Sequence, residues 1–172
     1  MRAYKKDALS CNPLEHKKPM ANSSDENPRI RVFVYGTLKP GEINYQRYCA
    51  GHILQHEWAI AYGQLFDLPM GYPAMTRGSA PVHGVILEFD DPSLLDTLDV
   101  LEGYEPNRSV TENDYERVEL EVFTPQHTPF GKAWTYLMAE KQVRHWSGEI
   151  IESGSWHSRL SRYKYYDSYP TH

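Results

Sequence analysis

With 172 residues the chain is long enough for one domain with a real core and too short for two comfortable ones. Its 18 Lys and Arg stand against 23 Asp and Glu, a formal charge of −5 that argues against sequence-independent nucleic-acid binding, which needs a cationic surface. No apolar run approaches the roughly 20 residues that span a bilayer and the N-terminus lacks a signal-peptide core, so no membrane partner and a cytoplasmic location are expected.

Residues 1–28 carry Lys5, Lys6, Lys17 and Lys18, then Ser23, Ser24, Asp25 and Glu26, with almost no periodic apolar signal, and read as a disordered tail. Asp7, Glu15, Asp25 and Glu26 are awkward for a mitochondrial presequence, which is poor in acids. At residues 31–41 an apolar run, Val32-Phe33-Val34, stops at Tyr35-Gly36, which predicts a buried strand feeding a tight loop. Pro40 cannot donate to a sheet ladder, so the strand ends by Lys39. The N–H groups of Gly36, Thr37 and Leu38 then need a partner: water, a nearby carbonyl or an anionic ligand.

A short helix is expected over 44–48 and a second strand over 57–68, bent at Gly63. Residues 68–81 are rich in Gly and Pro and predict a surface loop, followed by a largely buried strand over 82–89. Asp90-Asp91-Pro92 marks a helix start with proline at the first helical position, and Gly103 ends that helix. Residues 115–122 alternate, with Val118, Leu120 and Val122 on one face, and pair with a strand over 132–138 that puts Trp134, Tyr136 and Met138 on one side. The remaining residues, rich in Trp and Tyr, pack across the core to about Trp156 and fray beyond it. Several strands and few helices indicate a small α+β domain at 29–157, its sheet prone to curl into a barrel, followed by a C-terminal tail at 158–172.

One helical residue stands out chemically. Counting about 100° per residue, Leu94, Leu95, Leu98 and Leu101 form an apolar arc that contains Glu102, whereas Asp96 points away and Asp99 sits at the edge. A carboxylate aimed at a core is held near-neutral by desolvation and becomes a candidate acid and base. The alternative is a Glu102 that swings to solvent or pairs with Arg108 or Arg117. His52 and His56 have helical spacing but Glu57 follows the pair instead of lying between, so no metal site is expected. Cys11 and Cys49 read as free thiols. There is no Gly-x-Ser-x-Gly elbow and no Walker loop.

Tyr35-Gly36-Thr37-Leu38-Lys39-Pro40-Gly41, followed by Leu98-Asp99-Val100-Leu101-Glu102-Gly103-Tyr104, resembles the gamma-glutamylcyclotransferase-like, or AIG2-like, family. Tyr115-Glu116-Arg117-Val118, Trp134-Thr135-Tyr136 and Ser153-Gly154-Ser155-Trp156 extend the resemblance over about residues 31–156. It implies a small mixed β-barrel flanked by short helices, with the Tyr-Gly-Thr-Leu loop lining a cavity that holds the glutamate. It further implies an enzyme that cyclises a gamma-glutamyl peptide or amine to 5-oxoproline and a free amine, without cofactor or metal. Glu102 is then the catalytic acid and base, and Tyr35, Gly36, Thr37, Leu38 and Tyr115 line the substrate site. A different class of function, a non-catalytic small-molecule or partner-binding module on the same fold, is favoured by the aromatic C-terminus and disfavoured by Glu102.

Overall fold

The computed structural model describes residues 29–158, so the expected tail 1–28 and all but Ser158 of the expected tail 158–172 lie outside the described residues. The chain runs β1 (Ile30–Val34), α1 (Tyr45–Tyr48), β2 (Ile53–Asp67), β3 (Pro73–Phe89), α2 (Leu94–Leu101), β4 (Glu116–Phe123), β5 (Pro129–Leu137), α3 (Glu140–His145) and β6 (Glu149–Ile150). The sheet order is β3-β1-β5-β4-β2-β6, and a further pairing of β2 with β3 brings that order back on itself. The sheet therefore curls around its own interior. β1 and β5 run parallel, through Val32 and Trp134, while the other neighbours are antiparallel, as a mixed sheet requires.

Alternation along the strands splits the core in two. Phe33 and Tyr35 of the β1 segment, Ala59, Ala61 and Leu65 of β2, Met75, Val82 and Ile86 of β3, Val122 of β4 and Ala133 and Leu137 of β5 meet in one cluster, fed by all five strands of the circuit and closed by Trp156. Val32 and Val34 point the other way, with Val85, Leu87, Tyr136 and Met138, and are covered by Leu94 and Leu98 of α2 and Val143 of α3. β1 is apolar at consecutive positions because it is buried on both faces.

Three expectations change. The loop predicted over 68–81 is confined to 68–72, because β3 begins at Pro73 and buries Ala74, Met75 and Thr76. Its glycines and prolines serve an irregular strand: the register with β2 jumps from Gly63 opposite Ala80 to Gln64 opposite Thr76, leaving Arg77, Gly78 and Ser79 as extra residues in a bulge. The expected bend at Gly63 lies at this jump. Pro92 is not the first helical residue; the Asp91 carboxylate instead accepts from the Ser93 N–H at 2.9 Å and from its hydroxyl at 2.7 Å, and α2 begins at Leu94. Finally, residues 140–145, which show no clean period in the sequence, form a short helix.

Candidate active site

The α2 helix ends in a Schellman turn, with the Tyr104 N–H donating to Asp99 O at 2.9 Å and the Gly103 N–H to Val100 O at 3.4 Å. Gly103 takes the left-handed conformation this turn needs, at φ +63°. The turn leaves Glu102 as the last residue before the chain reverses, with its side chain on the wall of a cavity of about 450 Å³. Leu101, Tyr115, Tyr136 and the segment from Phe33 to Leu38 form much of the remaining wall, and Met70, Tyr72 and Pro73 line it from the β2–β3 connection.

Glu102 is half-buried: the cavity reaches it while protein surrounds the rest of the side chain. Burial pushes its carboxyl up to about 7, and no hydrogen bond or cation offsets that effect among the described residues. The alternative partners are engaged elsewhere. Arg117 Nη1 lies 2.8 Å from Asp99 Oδ2, and Arg108 pairs with Glu105 at 2.5 Å. Asp99, read from periodicity as an edge position, is instead buried and takes a second hydrogen bond from the Tyr136 hydroxyl at 2.8 Å.

Gly36, Thr37 and Leu38 also reach the cavity, and none of their N–H groups donates to another group among the described residues. The loop is nevertheless well held. The Lys39 N–H donates to Gly36 O at 3.0 Å, and Asn44 bonds both the Thr37 carbonyl and its hydroxyl, each at 3.0 Å. Pro73 packs so closely that a Cβ on Gly36 would stand 2.5 Å from Pro73 Cγ, so the glycine is required for this approach. Lys39 points away from the cavity wall: its buried ammonium donates to the Trp156 carbonyl, and desolvation, partly opposed by Glu42, pushes it down to about 8. Trp156 in turn donates to Asp67 at 2.8 Å, tying the loop to the end of the domain.

The tyrosines brace the cavity. The Tyr35 hydroxyl donates to Tyr136 O at 2.7 Å and accepts from the Met75 N–H at 3.2 Å, and the Tyr115 hydroxyl donates to Pro73 O at 2.8 Å. Burial, then the charge of Glu102, raises the Tyr35 phenol; burial dominates the rise at Tyr115 as well. Both phenols keep their protons as hydrogen-bond donors. All six residues singled out in the sequence, Tyr35, Gly36, Thr37, Leu38, Glu102 and Tyr115, thus line one cavity. Met70 and Tyr72 belong to the Gly- and Pro-rich run, the kind of loop that often borders a site, whereas Asn44, Asp114 and Tyr136 were not expected on the wall. Of the last three, Tyr136 carried a signal, its strand alternation with Trp134 and Met138. No group of three or more His, Cys, Asp or Glu able to hold a metal is found among the described residues.

One cavity thus holds a carboxyl that burial raises toward neutrality and a loop whose N–H groups meet no acceptor among the described residues. The chain belongs to the gamma-glutamyl cyclotransferase, AIG2-like family, whose model matches residues 32–158. It is 35% identical over 130 residues to a Vibrio cholerae protein with the provisional name gamma-glutamylcyclotransferase, covering 75% of this chain and 96% of that one. It is 32% identical over 106 residues to a gamma-L-glutamyl-butirosin B gamma-glutamyl cyclotransferase of Niallia circulans, covering 62% of this chain and 65% of the relative. The crystal structure of a mouse AIG2-like protein shares the fold, with a TM-score of 0.58 at 23% identity, over 75% of this chain and 88% of that one.

Proposed function

We propose that this protein cyclises a gamma-glutamyl amide, releasing 5-oxoproline and a free amine, with Glu102 as the only general acid and base. The observation that carries the reading is the Glu102 carboxyl, raised to about 7 by burial with nothing offsetting it among the described residues, on the wall of the cavity that Gly36, Thr37 and Leu38 also line. At neutral pH both protonation states are populated, which suits one group to accept a proton and then return it.

Ionised Glu102 takes a proton from the substrate α-ammonium, and the amine nitrogen attacks the δ-carbonyl carbon to close a five-membered ring. The carbonyl oxygen becomes an oxyanion. When it re-forms the carbonyl, the bond to the departing nitrogen breaks. The ring nitrogen gives up one proton before the attack and a second after it. The departing nitrogen gains one before the bond breaks, leaves as the neutral amine and takes up the other afterwards to become an ammonium, and Glu102 carries these protons one at a time. The loop N–H groups are placed to bind the oxyanion or the substrate carboxylate. Nucleophile and electrophile belong to one molecule, so a cavity that folds the substrate removes much of the entropic barrier. Tyr35 and Tyr115 keep the wall in shape through their carbonyl partners.

The test is incubation of the purified protein with a panel of gamma-glutamyl peptides and gamma-glutamyl amines, followed by quantification of 5-oxoproline. Turnover of at least one member is expected. Ligand binding across the panel with no 5-oxoproline from any member would overturn the proposal in favour of a binding module.

A further inference from the structure

We infer that Asp114 selects the leaving group, favouring gamma-glutamyl amides whose departing amine bears a second, positive charge over those whose departing amine bears a carboxylate. The inference rests on the cyclisation proposed above and concerns the half of the substrate that the chemistry discards.

In the reaction proposed above the δ-carbonyl meets Glu102 and the loop N–H groups, and we place the departing amine toward the exposed part of the cavity wall. Asp114 stands there, exposed and on the cavity wall. Its N–H donates to Gly103 O at 3.2 Å, and a Cβ on Gly103 would come within 2.5 Å of Asp114 Oδ2, so the carboxylate lies directly over the residue that follows Glu102. Both sequence neighbours are fixed. Buried Asn113 accepts from the Glu105 N–H at 3.0 Å and donates to its carbonyl at 3.2 Å, while buried Tyr115 reaches Pro73. A loop pinned on both sides of Asp114 presents its carboxylate at a defined place.

The electrostatics of the mouth have one sign. The charged residues on the cavity wall, among the described residues, are Glu102 and Asp114. Asp114 makes no ion pair with a described residue. Tyr72 lines the same cavity as both carboxylates, and after burial the charges of Asp114 and then Glu102 raise its phenol. Ile43, Met70 and Tyr72 expose apolar surface along the same opening. The combination suits a leaving group with an aliphatic stem and a distal ammonium, and it repels a distal carboxylate.

Three gamma-glutamyl amides of matched length test this: those of butylamine, of diaminobutane and of aminobutyrate, whose distal ends are neutral, cationic and anionic. kcat/KM for 5-oxoproline release is expected to fall in the order cationic, neutral, anionic, by up to about fivefold per step, as for partly exposed charges. The spread should narrow at high salt. In Asp114→Asn the cationic-to-anionic ratio should fall most of the way to one, and Asp114→Lys should reverse the order. Each ratio is taken within one protein, so a loss of folded material cancels. A charge-blind parent that still cyclises the neutral amide, or an Asp114→Asn protein with the parental ratio, would overturn the role of Asp114 alone. No 5-oxoproline from any of the three would overturn the cyclisation itself.

Discussion

Two carboxylates leave the last turn of α2 for different surroundings. Asp99 enters the packed side, where Arg117 and the Tyr136 hydroxyl each meet one of its oxygens. Glu102, three residues on, enters the cavity, where burial raises its pKa and no partner lowers it. The helix supplies both positions equally; the difference is made by what β4 and β5 place opposite. A paired carboxylate of this kind holds structure together, whereas an unpaired one stores an unfavourable charge that proton transfer can use.

The largest expected effect comes from breaking the cavity side. Glu102→Gln keeps the shape and removes the proton acceptor, so 5-oxoproline release should fall by about two orders of magnitude or more, with the melting temperature at neutral pH unlowered. Parental turnover in this variant would remove Glu102 from the mechanism and turn attention to Asp99 and Glu105.

Breaking the packed side should do the reverse. Asp99→Ala strands the Arg117 guanidinium and orphans the Tyr136 hydroxyl, both largely buried, at a cost of about 3 kcal/mol read from urea unfolding. A loss below about 1 kcal/mol would mean that the pair is a spectator.

The comparison can also be drawn by pH. Folding raises the Glu102 carboxyl from 4.5 to about 7, so the folded state binds its proton more tightly than the unfolded chain. Stability from this group is therefore complete below pH 4.5, is lost as pH rises through about 7, and is reduced by about 3 kcal/mol above that. Subtracting the Glu102→Gln stability profile from that of the parent should isolate this fall, while activity should rise through the same window as the base ionises. A flat difference profile would show that the carboxyl titrates normally.

The smallest effect should come from Tyr136→Phe, which leaves Asp99 its arginine and removes one hydrogen bond. About 1 kcal/mol of stability should be lost, measured as a shift in the unfolding midpoint, with turnover close to parental. A large fall in kcat here would couple the two sides of the helix end.

How far the sequence announced this arrangement depends on the range of the interactions involved. Glu102 could be found because its position follows from the repeat of one helix and from the adjacent Gly103. Asp99 could not, since its burial is decided by Arg117 and Tyr136, which two other strands bring across. The same holds in β3, where the glycines and prolines of 73–81 carry the local signature of a loop and only pairing with β2 makes them a strand. Asp114 lies in a non-repetitive segment, and nothing in its local pattern marks a residue whose place is set by the backbone of Gly103. The mixed fold, the hairpin of β4 and β5 and the cavity loop were legible because alternation and turn chemistry act over a few residues.

The parallel contact of β1 with β5 carries a consequence for the order of assembly. The Thr135 hydroxyl bonds the Phe33 carbonyl at a separation of 102 residues, and the cavity loop follows directly from this strand. Both sheet neighbours of β1, β3 and β5, lie later in the chain, so its docking closes long loops, the kind of contact whose entropy cost is met before it is repaid. The cavity loop of Gly36, Thr37 and Leu38 thus hangs from a strand whose place depends on the most distant pairing in the sheet.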